Sequence, residues 1–380
     1  MSSPASKSES SLEDSRWIEA TYRVRAPASA IEARARAIAL EQSIELPIEA
    51  VSDSRVLNEV LARVVDIVPA DANTFDATIR LAAETTGFEA GQLLNMLFGN
   101  TSLQDDVALV NVTLPAAFAA RFGGPRFGIK GIREITGVHG RPLTCSALKP
   151  QGLTPAQLAA IAYTFARAGI DVIKDDHGLA DQATAPFAAR VREVQRAVDE
   201  GNREIGGRSV YAPSLSGHYG QMHGQVTQAR ECGVQMFLVA PMVSGVATLT
   251  ALAREAGVPI IAHPAMAGSA RIAPPLLLGK LFRLFGADAT IFPNAGGRFS
   301  YTRDVCAGIV VAARESWHPL APMLPVPAGG MSVEGVPEMC TRFGNDTMLL
   351  IGGSLLAAGE ELFERCRAFV AAVRDYGANQ

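Results

Sequence analysis

The sequence predicts an α/β chain in which a small N-terminal α+β domain precedes an eight-stranded (β/α)8 barrel. The first observation behind this is composition: 380 residues, 48% apolar and only 19% charged, with 35 glycines. That describes a compact α/β protein long enough for two domains. Secondly, short apolar strands alternate with helix-length amphipathic segments after Pro142. Eight such units over about 240 residues have the length and rhythm of a (β/α)8 barrel. Thirdly, strands and helices mix without that rhythm over about 120 residues before it, as in a small α+β domain.

Residues 1–16 are rich in serine and charge and carry no apolar core of a signal peptide. They read as a disordered tail. Order begins at Trp17, where Trp-Ile-Glu-Ala-Thr-Tyr-Arg-Val alternates like a half-buried strand. Ala28–Gln42 is helix-like, and Arg55–Val68 has helical spacing, with Val56, Val60, Leu61, Val64 and Val65 on one side. Phe75–Ala82 and Val107–Leu114 look like strands, with a helical stretch between them ending near Asn95. Phe122–Arg141, rich in glycine and proline, reads as the linker. The expected divisions are therefore residues 17–135 and 136–380. The barrel strands are expected at Leu143–Lys149, Asp171–Asp176, Val210–Pro213, Met236–Ala240, Pro259–Ala262, Thr290–Phe292, Leu324–Ala328 and Met348–Ile351. Thr154-Pro155-Ala-Gln157 lines up an N-cap, an N1 proline and a capping-box glutamine for the helix after the first of them.

Composition also excludes several classes. A net charge of −4 without a Lys/Arg-rich run argues against nucleic acid. No apolar run approaches the ~20 residues of a membrane span. Five cysteines without CxxC spacing suggest neither a disulfide framework nor structural zinc, and reduced thiols point to the cytoplasm.

Chemistry in a barrel sits at the C-terminal strand ends. The second strand runs Asp171-Val-Ile-Lys-Asp-Asp-His177 and delivers Lys174, Asp175, Asp176 and His177 together. Alternation puts Lys174 and Asp176 on one face and Asp175 on the other. In an arbitrary chain such a tip is a solvated strand end. Here the first strand adds Lys149, the fifth ends in His263-Pro264, and the sixth leads into Pro293-Asn-Ala-Gly-Gly-Arg298. The last two strands end in Gly329-Gly330 and Gly352-Gly353. A lone Gly-Gly usually means a tight turn. Two pairs at the seventh and eighth strand ends match the phosphate site of this fold. Arg298 suits a substrate phosphate or carboxylate, although a solvent-facing arginine is commoner. His218 and His223 lie in a glycine-rich stretch that favours structural or solvated roles. His139 and His318 have no convergent partners in the sequence.

With these residues the chain resembles the RuBisCO large-subunit superfamily, from about Glu19 to Ala371, and within it the RuBisCO-like (type IV) branch. The most specific pieces are Glu41-Gln-Ser43, Phe98-Gly-Asn100, Arg141-Pro-Leu, Leu148-Lys-Pro150, Gly169-Ile-Asp171 through Lys174-Asp-Asp176, and Ala328-Gly-Gly330. The resemblance implies a ferredoxin-like N-terminal α+β domain ahead of the TIM barrel. It implies Mg²⁺ held by a carbamate on Lys174 with Asp176 and His177, and Lys149 as the proton carrier. Lys149, Lys174 and His263 are the catalytic candidates. It further implies a phosphate on Gly329, Gly330, Gly352 and Gly353, and a homodimer in which Glu41 and Asn100 complete a neighbour's site.

The departures set the expected activity. Family carboxylases have a glutamate where this chain has His177, which makes Mn²⁺, or no metal at all, an alternative. The arginine that binds a second phosphate is replaced by Pro264. Pro150-Gln-Gly is one residue short and lacks the second lysine, and Asn294–Ser300 lacks the loop lysine that stabilises CO2 addition. Ile44-Glu-Leu46 replaces Thr-Gly-Thr. Carboxylation of a bisphosphate is not expected. What survives suits enolisation of a phosphorylated ketose, with isomerisation of 5-methylthioribulose 1-phosphate the best match. The enolase step on 2,3-diketo-5-methylthiopentyl 1-phosphate and decarboxylation of a 3-oxo sugar-acid phosphate remain open. So does a non-catalytic sugar-phosphate-binding protein.

Overall fold

The structure of the protein, a computed structural model, describes residues 16–297, 299–317 and 319–378. The expected tail lies, apart from Arg16, outside the described residues, as do Arg298 and His318. The chain divides into two compact units.

The first unit runs to Gly124 and includes Met266–Leu277 and Trp317–Leu320. It contains a four-stranded antiparallel sheet of β1 (Trp17–Arg25), β2 (Arg63–Asp71), β3 (Thr74–Ala82) and β4 (Val107–Thr113), in the order β2-β3-β1-β4. Alternation in β1 buries Ile18, Ala20, Tyr22 and Val24. The helices Ile31–Glu41 and Ala90–Phe98 turn Ile31, Ala35, Ile38, Leu93 and Leu97 inward. Tyr22 is fully buried, and its hydroxyl donates to the Leu97 carbonyl at 2.6 Å.

Two expectations need correction. Arg55–Val68 is not one helix. A single π-helical stretch, Val56–Val60, gives way to the edge strand β2. The same valines fit a helical stripe, but the β-branched run Val64-Val65-Asp-Ile67-Val68 packs better extended. Nor is Phe122–Arg141 a linker, because the helix Gly128–Thr136 occupies its middle. Gly128, at φ +55°, starts that helix where a Cβ would meet the Pro322 carbonyl at 2.6 Å. Buried Asp288 accepts from the Phe127 and Gly128 amides, both at 2.8 Å, and from Ile260 at 2.9 Å. The second unit accordingly begins at Pro125 rather than 136.

That second unit is the barrel, with all eight expected strands. They are β5 (Leu143–Leu148), β6 (Val172–Asp175), β7 (Val210–Ala212), β8 (Phe237–Val239), β9 (Ile260–Ala262), β10 (Ala289–Pro293), β11 (Leu324–Ala328) and β12 (Met348–Leu350). The parallel sheet runs β7-β6-β5-β12-β11-β10-β9-β8. It closes just beyond β7, where the Leu238 amide donates to Pro213 and the Leu215 amide to Leu238, each at 2.9 Å. Leu143, Cys145, Val172, Val210, Leu238, Ile261, Ile291, Val326 and Met348 fill the interior, joined by Ile129 and Ile132 of the Gly128–Thr136 helix. The Thr154 capping box forms as its sequence spelled it. Among the described residues no helix is long and apolar enough to cross a membrane.

Candidate active site

Lys174 stands two residues beyond inward-facing Val172, so it projects into the barrel and is only 3% exposed. Its register partners are Ala147 on β5 and Ala212 on β7, whose small side chains leave room for it. Its Nζ donates to the Asp175 carbonyl at 2.7 Å. Burial pushes the ammonium pKa down and the charge of Lys149 pushes the same way, against Cys145, Asp176 and Asp175. Asp175 points outward, as alternation required. It pairs with fully buried Arg190 at 3.0 Å and accepts from Tyr211 at 2.8 Å and the Ser214 amide at 3.0 Å.

Asp176 collects the rest. Lys149 Nζ lies 2.7 Å from its Oδ1, and His177 Nδ1 lies 3.5 Å from the same oxygen. Burial alone would raise this carboxyl, but hydrogen bonds to His177 and Lys149 and the charges of both lysines hold it far below the usual carboxylate range. His177 stacks on His263, with ring centroids 4.1 Å apart and planes 8° from parallel. His263 is pushed down to about 2 by burial, then by the charges of Lys174 and His177, so its imidazole is neutral. The Ala265 amide donates to His263 Nδ1 at 3.1 Å, which leaves the proton on Nε2. Lys149, Lys174, Asp176, His177 and His263 therefore form one cluster, with two lysines and a donor imidazole around one carboxylate.

Sequence reasoning missed Gln151. Its Nε2 approaches Asp176 Oδ2 at 3.4 Å, and a Cβ on Gly178 would sit 1.8 Å from that nitrogen. The signal was Pro150-Gln-Gly, noted only for the lysine it lacks.

The Gly329-Gly330 pair packs against Gly297 in the loop after β10. A Cβ on Gly330 would lie 2.4 Å from the Gly297 Cα, and one on Gly297 would lie 2.6 Å from the Gly329 carbonyl. Two loops touch there only because these positions are glycine. Ser354 Oγ donates to Met331 at 2.8 Å, tying the loop after β12 to that after β11. Space beside Gly353 is open. In the other unit, Asn100 Nδ2 donates to Glu41 and to Glu45, each at 2.9 Å. His218 caps the helix Tyr219–Glu231, the structural role. All five cysteines are free.

Among the described residues no three His, Cys, Asp or Glu side chains converge on a metal position. An ammonium cannot ligate a cation. The donor set fits Mg²⁺ only if Lys174 carries a carbamate, with Asp176 and His177 completing it.

The sequence matches the family described as ribulose bisphosphate carboxylase large chain, catalytic domain, over residues 128–359. A 5-methylthioribulose-1-phosphate isomerase of Rhodospirillum rubrum is 52% identical over 94% of this chain and 96% of its own. A 2,3-diketo-5-methylthiopentyl-1-phosphate enolase of Geobacillus kaustophilus is 36% identical over 78% of this chain and 75% of its own. The crystal structure of a Rubisco-like protein from Rhodopseudomonas palustris superposes with a TM-score of 0.90 at 49% identity, covering 95% of this chain and 99% of that one.

Proposed function

This chain belongs to the RuBisCO large-chain superfamily, on its RuBisCO-like branch, and from that premise we propose that it is an isomerase of 5-methylthioribulose 1-phosphate. The observation that carries the reading is the Lys149–Asp176 pair at 2.7 Å, set over buried Lys174 in a chain with Pro264 where carboxylases have arginine. After yielding its own proton to solvent, Lys149 takes one from the carbon beside the ketone, leaving the electron pair as an enediolate. The ammonium so formed is stabilised by Asp176 and returns the proton to the neighbouring carbon. Nε2–H of His263 offers a hydrogen bond to an enediolate oxygen.

Gly329, Gly330, Gly352 and Gly353 bind the single phosphate through backbone amides, with Arg298 as a further anion partner. The methylthio tail lies where a second phosphate would lack its countercharge. Lys174, Asp176 and His177 would hold Mg²⁺ once CO2 adds to the neutral Lys174 amine with loss of a proton. Bound there, the cation would supply positive charge for the enediolate oxygens. Glu41 and Asn100, preorganised by their mutual hydrogen bond, complete the site of a partner in a homodimer. Five free thiols support a reducing compartment.

The test incubates the full chain with 5-methylthioribulose 1-phosphate in D2O, and separately with ribulose bisphosphate and labelled bicarbonate. Deuterium should enter the ketose at the carbons beside its carbonyl, and no label should be fixed. Release of CO2 from a 3-oxo sugar-acid phosphate without any ketose exchange would replace this reading with the decarboxylase. The enolase relative favours a second reading, which exchange into the diketone alone would establish.

A further inference from the structure

The opposite, N-terminal face of the barrel holds a second concave site. Arg141, Asp171 and Ser209 lie just ahead of β5, β6 and β7, and they line a cavity of about 590 Å³ with Arg167, Arg208, Arg367 and Arg374. Arg141 is spent on Asp171, through two bonds of 2.8 Å, and Arg167 pairs with Glu204 at 2.9 Å. Arg208, Arg367 and Arg374 make no ion pair among the described residues.

Five arginines against two carboxylates leave three positive charges on one cavity of a chain whose net charge is −4. Three helices, ending at Thr136, Arg167 and Ile205, point C-termini here. At about −0.5 each they offset roughly half of that surplus. The remainder is an anion site of guanidinium forks, the geometry that grips phosphoryl oxygens in pairs.

An adjoining cavity of about 490 Å³ shares Gly207, Arg208 and Ser209 and is lined by Gln195, Asp199, Asn202 and Gln235. Gln195 is 8% exposed, and its Nε2 donates to Asp199 at 2.9 Å. Its Oε1 is buried without a hydrogen-bond partner among the described residues. Both cavities fall within the size range of small-molecule sites.

We propose that this face binds a phosphorylated small molecule with at least two negative charges, its phosphoryl groups on Arg208, Arg367 and Arg374. The site is independent of the reactive strand ends.

Calorimetric titration of the full chain with inorganic pyrophosphate and with ATP tests this. Both should bind, more weakly with added salt, and the double variant Arg208→Ala/Arg374→Ala should lose at least about tenfold in affinity for both. Ketose exchange at the other end should be unchanged. Arginine labelling by phenylglyoxal, mapped by mass spectrometry, should show protection of Arg208, Arg367 and Arg374 by pyrophosphate. Equal affinity in wild type and arginine variant, absence of binding to the wild type, or no protection at these arginines would overturn the site.

Discussion

Arg190 holds the C-terminal end of β6 from behind. It is fully buried, pairs through Nε with Asp175 at 3.0 Å, and donates through Nη1 to the Ala180 and Ala185 carbonyls, both at 2.7 Å. Asp175 sits between Lys174 and Asp176 in sequence, so fixing its outward side chain fixes the turn of strand that aims its neighbours inward. Replacing Arg190 by methionine would leave a buried carboxylate without its cation. Denaturant unfolding of Arg190→Met should show a loss of about 3–5 kcal/mol. A change under about 1 kcal/mol would mean that Tyr211 and Ser214 hold Asp175 by themselves. Alternation alone made Lys174 and Asp176 legible as one face. Arg190 was not legible, because an arginine within an amphipathic helix normally faces solvent. Nor did any local pattern link Tyr211 to Asp175, 36 positions away.

At the scale of elements, the N-terminal unit depends on a clamp between a helix and a strand entry. Arg34, in the helix Ile31–Glu41, grips Asp106, just ahead of β4, through bonds of 2.7 and 2.8 Å. The guanidinium holds the Asp106 carboxyl below the usual aspartate range. A carboxyl whose folded pKa is depressed stabilises fully above its unfolded pKa and loses that contribution as pH falls through the folded one. Asp106→Asn should therefore cost about 1 kcal/mol at neutral pH. The gap to wild type should close on acidification below about pH 4, the ordinary aspartate value. A gap that stayed constant through acid titration of thermal stability would contradict the clamp. Elements with a single clear period were legible: β1, β3, β4, the eight barrel strands and the Thr154-capped helix. Arg55–Val68 was not, since its valines fit both periods. Gly128–Thr136 was hidden by the glycines and proline that flank it, and its cap, Asp288, lies 160 residues further on.

For the whole molecule, the barrel and its family were legible because strand ends carry their chemistry at fixed places in the chain. The excursion of Met266–Leu277 into the first unit was not. There the Leu109 amide donates to Arg271 and the Ala273 amide to Leu109, each at 2.9 Å, so a segment between β9 and β10 extends the small sheet. Pairing over such sequence distance leaves no local trace. On the function proposed above, a carboxylase frame without the second-phosphate arginine and the loop lysine uses Lys149 to move protons. The most direct measurement is the rate of solvent deuterium exchange into 5-methylthioribulose 1-phosphate by Lys149→Met beside wild type, with phosphate binding followed in parallel. The expected result is a loss of about 10²–10⁴ in exchange rate with phosphate affinity nearly intact. Exchange by the variant at the wild-type rate would contradict the account.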